Sequence, residues 1–234
     1  MLLYIVRHGQ PIYGPDTLTD LGRKQAEALA DRFAIHGLDR IFSSPMGRAR
    51  ETAQPTADRL GLPVKIEHWT REIWPELTLT MPDGSPHFCM DLYPDTYRSA
   101  ENKTLGEDWH TMPCLNSIAG KQAWARVVRY SDNFFMRLGY KRETDGVYRI
   151  VKPNDERVAL FCHAGFSLTW LPHLLCIPPH LFWAAFDITH TGVTLLEFKN
   201  NESGICTPKC LMLSDMSHIL NSGLNYEYNS ELPV

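Results

Sequence analysis

The sequence predicts an α/β fold: a three-layer α/β/α sandwich with a mainly parallel sheet and a loop-rich cap insertion. Two observations lead to this prediction. Short apolar runs alternate with segments whose apolar residues recur every three or four positions, which is typical of strands connected by helices. A long central stretch then loses both patterns while it keeps many aromatic residues. We therefore expect a single domain over residues 1–234, with the cap inserted at about residues 68–115.

The chain begins with a strand and a helix. Residues 2–6 are an apolar run of the kind that forms a buried strand. Thr19 is a good N-cap, and the apolar residues that follow it repeat with four- and three-residue spacing along one helix face. Gly37 is expected to end this helix, because glycine adopts the left-handed C-cap conformation without steric cost.

A second strand, helix and strand follow. Residues 40–42 form a short apolar run. Ser44 and Pro45 read as an N-cap followed by proline at the first helical position, and Gly61 closes the helix. Residues 64–66 are the third predicted strand.

The second half of the chain begins with the irregular stretch. From residue 68 to 113 the sequence is rich in proline and aromatic residues, which argues for an ordered cap over a site rather than for disorder. A helix is expected over about 118–138. Residues 158–162 are apolar throughout, as in a central strand buried on both faces. A helix over 165–176 and a late strand over 193–198 complete the pattern.

Composition excludes several classes of protein. The net charge of −4 provides no global basic field for duplex nucleic acid. No apolar run approaches the roughly 18 residues of a membrane span, and the apolar run at the N-terminus is too short for a signal peptide. The six cysteines are scattered without a CxxC pair, which favours reduced thiols and a cytoplasmic location. We expect no nucleic-acid or membrane partner.

Polar residues follow three of the predicted strands. Arg7 and His8 follow the first, Ser44 and then Arg48 follow the second, and His163 follows the central one. In parallel sheets the ligand binds beyond the carboxyl ends of the strands, so these side chains should meet there. Two guanidinium groups and two imidazoles suit phosphoryl transfer, in which cations stabilise the equatorial oxygens and a neutral imidazole can attack phosphorus. No HExxH motif or close His/Asp cluster is present, so no metal or other cofactor is predicted.

Four motifs in this order resemble those of the histidine phosphatase superfamily, also called phosphoglycerate mutase-like. They are residues 5–9 (IVRHG), 18–22 (LTDLG) with Gln25 and Ala26, 43–49 (SSPMGRA) with 51–53 (ETA), and 161–165 (FCHAG). The motifs span most of the chain, apart from the cap and the tail. The triplet RHG alone would be a weak signal, whereas all four motifs in sequence are a specific one.

The resemblance implies roles for individual residues. His8 is expected to be the phosphorylated nucleophile, Arg7 and Arg48 the phosphate clamp, and His163 the histidine that stabilises the transferring group. The superfamily's proton donor is a glutamate just after the third strand. Glu72 fits that position and is our choice, whereas Glu76, four residues on, is the competing candidate.

Two further residues are assigned to substrate binding. Gln10 is a candidate hydrogen-bond donor to the phosphate, and Ala164 directly follows the second histidine. The chain departs from the superfamily pattern at Pro11 and Gly14, where Thr or Ser and Asn are common, which puts one phosphate contact from this loop in doubt. His190 precedes the late strand, but we leave it outside the predicted site.

The cap favours a phosphatase over a mutase. Its cations are few, namely Arg71, Arg98 and Lys103, whereas mutases of the superfamily carry a basic cluster there. The predicted function is therefore hydrolysis of a small-molecule phosphomonoester without a metal. The alternatives are a phosphoglycerate-mutase-type phosphotransferase and a catalytically silent phospho-ligand binder. Trp74, Tyr93 and Trp109 of the cap either line a substrate pocket or form the cap's own core. The sequence leaves the oligomeric state undetermined.

Overall fold

The computed structural model describes residues 1–81, 83–92, 94–115, 120–144, 146–225 and 228. Its strands, in chain order, are β1 (Leu2–Arg7), β2 (Pro11–Ile12), β3 (Thr17–Leu18), β4 (Arg40–Ser43), β5 (Val64–Ile66), β6 (Thr78–Thr80), β7 (Pro86–Phe88), β8 (Tyr140–Arg142), β9 (Tyr148–Ile150), β10 (Arg157–Cys162), β11 (Val193–Glu197), β12 (Ile205–Cys206) and β13 (Lys209–Asp215). Its α-helices are α1 (Asp20–His36), α2 (Gly47–Leu60), α3 (Pro94–Arg98), α4 (Gly120–Arg137), α5 (Ala164–Leu175), α6 (Pro179–Trp183) and α7 (Ser217–Asn221).

The central sheet has six strands in the order β13-β11-β1-β10-β4-β5. Strands β1, β10, β4 and β5 are parallel, while β11 pairs antiparallel with β1 and β13 pairs antiparallel with β11. The predicted α/β class with a mainly parallel sheet is therefore confirmed. Strand β10 lies between β1 and β4, and its residues from Val158 to Cys162 are buried, as the apolar run predicts.

The two faces of the sheet carry separate cores, because successive side chains of a strand point to opposite sides. In β1, Leu3 and Ile5 belong to the core that includes residues of α4 and α5. Tyr4 and Val6 belong to the core that includes Leu29 of α1 and residues of α2. Helices thus cover both faces of the sheet.

Helix α1 has the predicted boundaries. The side chain of Thr19 accepts a hydrogen bond from the Gly22 N–H, and Gly37 at the C-terminus has φ of 71° and donates its N–H to the Phe33 carbonyl. The predicted helix at 118–138 is observed as α4, whose first two predicted positions lie outside the described residues.

The predicted start of α2 is wrong. This helix begins at Gly47 with Met46 as N-cap, so Ser44 does not cap it. The Ser44 hydroxyl lies 2.8 Å from His163 Nε2, and the Gly47 N–H donates to the carboxylate of Asp16 at 2.6 Å. The Asp16 carboxylate therefore caps the first N–H group of α2, and the Ser44 side chain contacts His163 instead.

The stretch from residue 68 to 115, called the cap segment below, consists of short elements. It contains β6, β7, α3 and several single-turn 3-10 helices. Trp109 is 1% exposed and packs against Trp183 and Trp124, so it belongs to the core, whereas Trp74 is 44% exposed. The predicted cap residue Tyr93 lies outside the described residues.

Several elements were not predicted from the sequence. Strands β8, β9 and β12 form a small antiparallel sheet, and each has two or three residues, too few to show a periodicity. The edge strand β13 has mostly half-exposed residues on both faces and therefore lacks a clear alternation. None of the helices in the described part of the chain is long and apolar enough to cross a membrane.

Candidate active site

The carboxyl ends of β1, β4 and β10 bring four of the predicted residues together. Arg7, His8, Arg48 and His163 are all buried, and the rings of His8 and His163 lie 5.2 Å apart between centroids. The parallel register explains the cluster, because Arg7 pairs with Cys162, and the residue after each of them is a histidine. The predicted convergence at this sheet edge is what the structure shows for these four residues.

The hydrogen bonds of His8 define which ring nitrogen is basic. Nδ1 lies 2.7 Å from the carbonyl oxygen of Gly9, and since a carbonyl can only accept, Nδ1 carries the proton. Nε2 is then unprotonated, and it accepts a hydrogen bond from Arg48 Nε at 3.1 Å. Burial, aided by the positive field of neighbouring groups, lowers the pKa of His8 well below its usual value, so the ring is neutral.

Arg48 is held by contacts that fix its guanidinium plane. Its Nη1 donates to Asp16 Oδ1 at 2.6 Å, and the ring of Tyr13 lies 5.3 Å from the guanidinium carbon. The other oxygen of Asp16 receives the Gly47 N–H at the start of α2. Asp16 was missed by the sequence analysis, because nothing in its neighbourhood shows that the loop folds back over Arg48.

Arg7 is oriented by the segment that precedes β11. Its Nη1 donates to the carbonyl oxygen of Ile188 at 2.5 Å, and its Nη2 lies 3.0 Å from His190 Nε2. Burial and the charge of Arg7 lower the pKa of His190 to about 3, so His190 is neutral and Nε2 accepts from the guanidinium. The ring of His190 is 5.8 Å from that of His8. His190 therefore lies in the site, although the sequence analysis left it out.

His163 lies opposite His8 and bonds to Ser44 through Nε2. It is fully buried, and burial together with the positive field of Arg48 and Arg7 lowers its pKa well below the usual value. Among the described residues, Nδ1 of His163 has no hydrogen-bond partner. A buried ring nitrogen without a partner in a polar cluster is a group that a ligand can satisfy.

The carboxylate of Glu72 is placed at the N-terminus of α5. Its oxygens accept backbone N–H bonds from Ile73 at 2.9 Å, Phe166 at 2.8 Å and Gly165 at 3.2 Å. Burial raises the pKa of Glu72, and these three N–H groups oppose that shift without cancelling it.

The competing Glu76 has a different environment. It forms ion pairs with Arg71 at 2.7 Å and with Arg126 at 3.1 Å. Glu72, but not Glu76, lines the cavity that Arg48 lines.

The two other predicted binding residues are less directly placed. Gln10 bonds to α1, since its side-chain oxygen accepts from the Thr19 hydroxyl at 2.8 Å and its backbone N–H donates to the Gln25 side chain at 2.8 Å. Ala164 is the first residue of α5, directly after His163. Neither residue is among the described residues that line the cavity.

A cavity of about 780 Å³ opens beside this cluster. Its lining combines charged groups with an aromatic and apolar wall, namely Tyr13, Asp16, Pro45, Met46, Arg48, Arg71, Glu72, Trp74 and Pro75. The volume is that of a small-molecule site. The arrangement joins an unprotonated imidazole nitrogen, two oriented guanidinium groups and a carboxyl group of raised pKa, which together can bind a tetrahedral anion and exchange a proton with it.

Comparison with known sequences gives a family match for the N-terminal part of the chain. Residues 3–111 match the profile of the Histidine phosphatase superfamily (branch 1). A protein named as a probable phosphoglycerate mutase GpmB of Yersinia pestis (strain Pestoides F) is 32% identical over 80 residues, which is 30% of this chain. The matched part is only 37% of that relative's length.

Comparison with solved structures covers nearly the whole chain. A mycobacterial glucosyl-3-phosphoglycerate phosphatase, solved with VO3, has a TM-score of 0.60 at 22% identity, over 91% of this chain and 98% of the other. A phosphoserine phosphatase from Entamoeba histolytica, solved with phosphoserine, has a TM-score of 0.61 at 20% identity, over 93% and 98%. At these identities the similarity establishes the fold.

Proposed function

Because residues 3–111 match the profile of the histidine phosphatase superfamily, we propose that this chain is a member of it and hydrolyses a small-molecule phosphomonoester through a phosphohistidine on His8. The observation that carries the proposal is the state of His8 itself. Its ring is neutral, its Nδ1 donates to the Gly9 carbonyl, and its Nε2 lone pair faces the Arg48 guanidinium. An activated nucleophile beside preorganised cations is what phosphoryl transfer requires.

In the first step, the lone pair of His8 Nε2 forms a bond to phosphorus while the bond from phosphorus to the ester oxygen breaks. The protonated form of Glu72, which its raised pKa favours, gives its proton to the departing oxygen, and an alcohol leaves. Arg7, Arg48 and Nδ1 of His163 donate to the phosphoryl oxygens. For His163 this requires the Ser44 hydroxyl to donate to Nε2, which places the ring proton on Nδ1.

In the second step, the carboxylate of Glu72 takes a proton from water, and the water oxygen attacks phosphorus. The bond from phosphorus to His8 Nε2 breaks, its electron pair returns to the imidazole, and inorganic phosphate leaves. The enzyme is then restored with Glu72 protonated. The positive charge that the transferring group needs comes from guanidinium groups, so the proposed reaction uses no metal ion.

A mutase is the second candidate, because the Yersinia relative carries that name. A mutase shares the covalent step but must hold a substrate with a second anionic group. Among the described residues, the cations that line the cavity are Arg48 and Arg71, and carboxylates pair with both, at 2.6 Å from Asp16 and 2.7 Å from Glu76. This balance supports hydrolysis over phosphotransfer between two sites of an acidic substrate.

The proposal is tested by incubating the enzyme with an aryl phosphate in EDTA and, separately, with phosphoglycerate. We expect release of inorganic phosphate at a rate that EDTA does not change, and no interconversion of phosphoglycerate isomers. Isomer interconversion without phosphate release would establish the mutase. Binding of phosphate without turnover of any ester would establish a silent binder.

A substitution next to Glu72 tests its role as proton donor. A Cβ on Gly165 would lie 2.7 Å from Glu72 Oε1 and 2.7 Å from Phe88 Cζ, so Gly165→Ala must displace the carboxylate or the ring. Alanine has a helix propensity better than that of glycine by about 1 kcal/mol, so α5 itself should persist. We expect kcat on alkyl phosphates to fall about tenfold or more, because their leaving group needs the proton.

Aryl phosphates provide the internal comparison for this variant. Their leaving oxygen needs little protonation, so their kcat should fall less than that of alkyl phosphates. Equal losses on both esters, or no loss on either, would contradict the placement of the Glu72 carboxyl as donor. Thermal unfolding of the variant shows whether the protein remains folded.

A further inference from the structure

The cavity lined by Arg48, which donates to His8 Nε2, and by Glu72 is larger than a phosphoryl group needs. Its volume of about 780 Å³ lies within the range of sites that enclose a whole small molecule. The part of the cavity that the phosphoryl group does not occupy is therefore available to the alcohol portion of the ester. The polarity and charge of the side chains that line the cavity therefore indicate which alcohol portion it can bind.

Two of the side chains that line the cavity are exposed aromatic rings. Tyr13, from the loop between β2 and β3, is 71% exposed, and Trp74, at the start of the cap segment, is 44% exposed. Tyr13 packs on the Arg48 guanidinium, and the Trp74 ring packs on Phe88 with centroids 4.6 Å apart. Each ring is thus supported by a neighbour while it still contributes to the cavity lining. Exposed, supported aromatic rings in a concave site indicate a ligand with an apolar surface.

The charged side chains of the lining are balanced. Arg48 is paired with Asp16 and Arg71 with Glu76, while Glu72 accepts three backbone N–H bonds. The side chain of Asp16 is 34% exposed, so its negative charge is felt within the cavity. A second anionic group on the substrate would have to displace a carboxylate from an arginine and approach Asp16, and both effects are unfavourable.

We propose that the substrate is a phosphomonoester of an uncharged, apolar alcohol, preferably an aromatic one. Tyr13 and Trp74 bind the alcohol portion, and Asp16 disfavours esters with a second anionic group. This inference rests on the proposed phosphatase function and specifies its substrate class.

The test compares phenyl, naphthyl and carboxyphenyl phosphate, whose leaving groups are of similar basicity, so that recognition rather than chemistry separates their rates. For the wild type we expect kcat/KM to be about tenfold higher for naphthyl than for phenyl phosphate, and about tenfold lower for carboxyphenyl phosphate. Trp74→Ala and Tyr13→Ala should each lower the naphthyl-to-phenyl ratio several-fold, mainly through KM.

Asp16→Asn tests the exclusion of a second anion. This variant also loosens Arg48, which lowers the rates for both esters alike, so the ratio of carboxyphenyl to phenyl phosphate is the quantity to measure. We expect that ratio to rise about fivefold, because the repulsive charge is gone.

The matched control is Tyr130→Ala. Tyr130 is an aromatic side chain of α4 with 44% exposure, equal to that of Trp74, and it lies outside the cavity. Removal of the Tyr130 side chain should leave every ratio of kcat/KM values unchanged. In Trp74→Ala, inhibition by inorganic phosphate should equal that of the wild type, because phosphate has no alcohol portion.

Unaltered naphthyl-to-phenyl ratios in both cavity variants, or faster turnover of carboxyphenyl than of phenyl phosphate by the wild type, would overturn the substrate class and leave the phosphatase intact. Absence of turnover with all three esters would instead overturn the proposed function.

Discussion

Replacing His8 by alanine should abolish turnover of every phosphate ester, with a loss of about 10⁴-fold or more in kcat. Among the described residues, the two other imidazoles of the site are already engaged in the proposed mechanism: His163 bonds to Ser44 through Nε2 and donates its Nδ1 proton to the phosphoryl group, and His190 Nε2 accepts from Arg7. The measurement is initial rates of an aryl phosphate in EDTA. It is combined with rapid quenching of the wild type to detect a phosphoenzyme that is labile to acid and stable to alkali, as phosphohistidine is.

His36→Ala is the matched control, because His36 is an exposed histidine on α1, outside the site, and its loss should not change the rate. His8→Asn accompanies His8→Ala, so that inactivity in both folded variants reports on chemistry rather than on packing. Folding is checked by thermal unfolding. Activity of either variant close to that of the wild type would refute the phosphohistidine mechanism.

Glu72→Gln should lower kcat on alkyl phosphates by about 10²- to 10⁴-fold and affect aryl phosphates far less. The amide keeps the shape of the carboxyl group but has no acidic proton for the leaving oxygen. Glu76→Gln is the paired comparison, because Glu76 lies four residues away and is held by Arg71 and Arg126. We expect it to stay within about threefold of the wild type. A larger loss in Glu76→Gln than in Glu72→Gln would reverse the assignment of the proton donor.

The pH dependence follows from the directions of two pKa shifts. The pKa of His8 is lowered, so its neutral, nucleophilic form persists into acid, and activity is lost only as the pH falls through that lowered value. The pKa of Glu72 is raised, so its protonated form persists to higher pH, and the rate on alkyl phosphates is lost as the pH rises through that raised value. Activity on alkyl phosphates should therefore be greatest between the lowered pKa of His8 and the raised pKa of Glu72.

The ratio of alkyl to aryl phosphate rates isolates Glu72, because ionisation of the phosphate group affects both esters alike. In the wild type this ratio should fall as the pH rises. In Glu72→Gln it should be low and constant. A ratio that is independent of pH in the wild type would show that Glu72 does not protonate the leaving group.

Much of the fold follows from local patterns. The apolar runs of β1 and β10 fix two buried strands, and the spacing of α1 together with Thr19 and Gly37 fixes a helix and both its ends. These elements were predictable because their apolar patterns and end signals are long enough to be recognised from neighbouring residues alone. Strands β8, β9 and β12 were not predictable, since strands this short are stabilised by pairing with each other rather than by their own pattern.

The sequence by itself determined that the strand-end residues Arg7, His8 and His163 meet at one edge of the sheet. Arg7, His8 and His163 each lie at the end of a strand or directly after it, and strands that are parallel neighbours place their carboxyl ends together. Only the tertiary structure decided how these groups are held. Asp16 on Arg48 and His190 on Arg7 are contacts across 32 and 183 residues, and Glu72 differs from Glu76 only in which backbone and side-chain groups surround it. Strand order sets the backbone position of a residue. The orientation and protonation state of its side chain depend on partners that folding brings from distant segments.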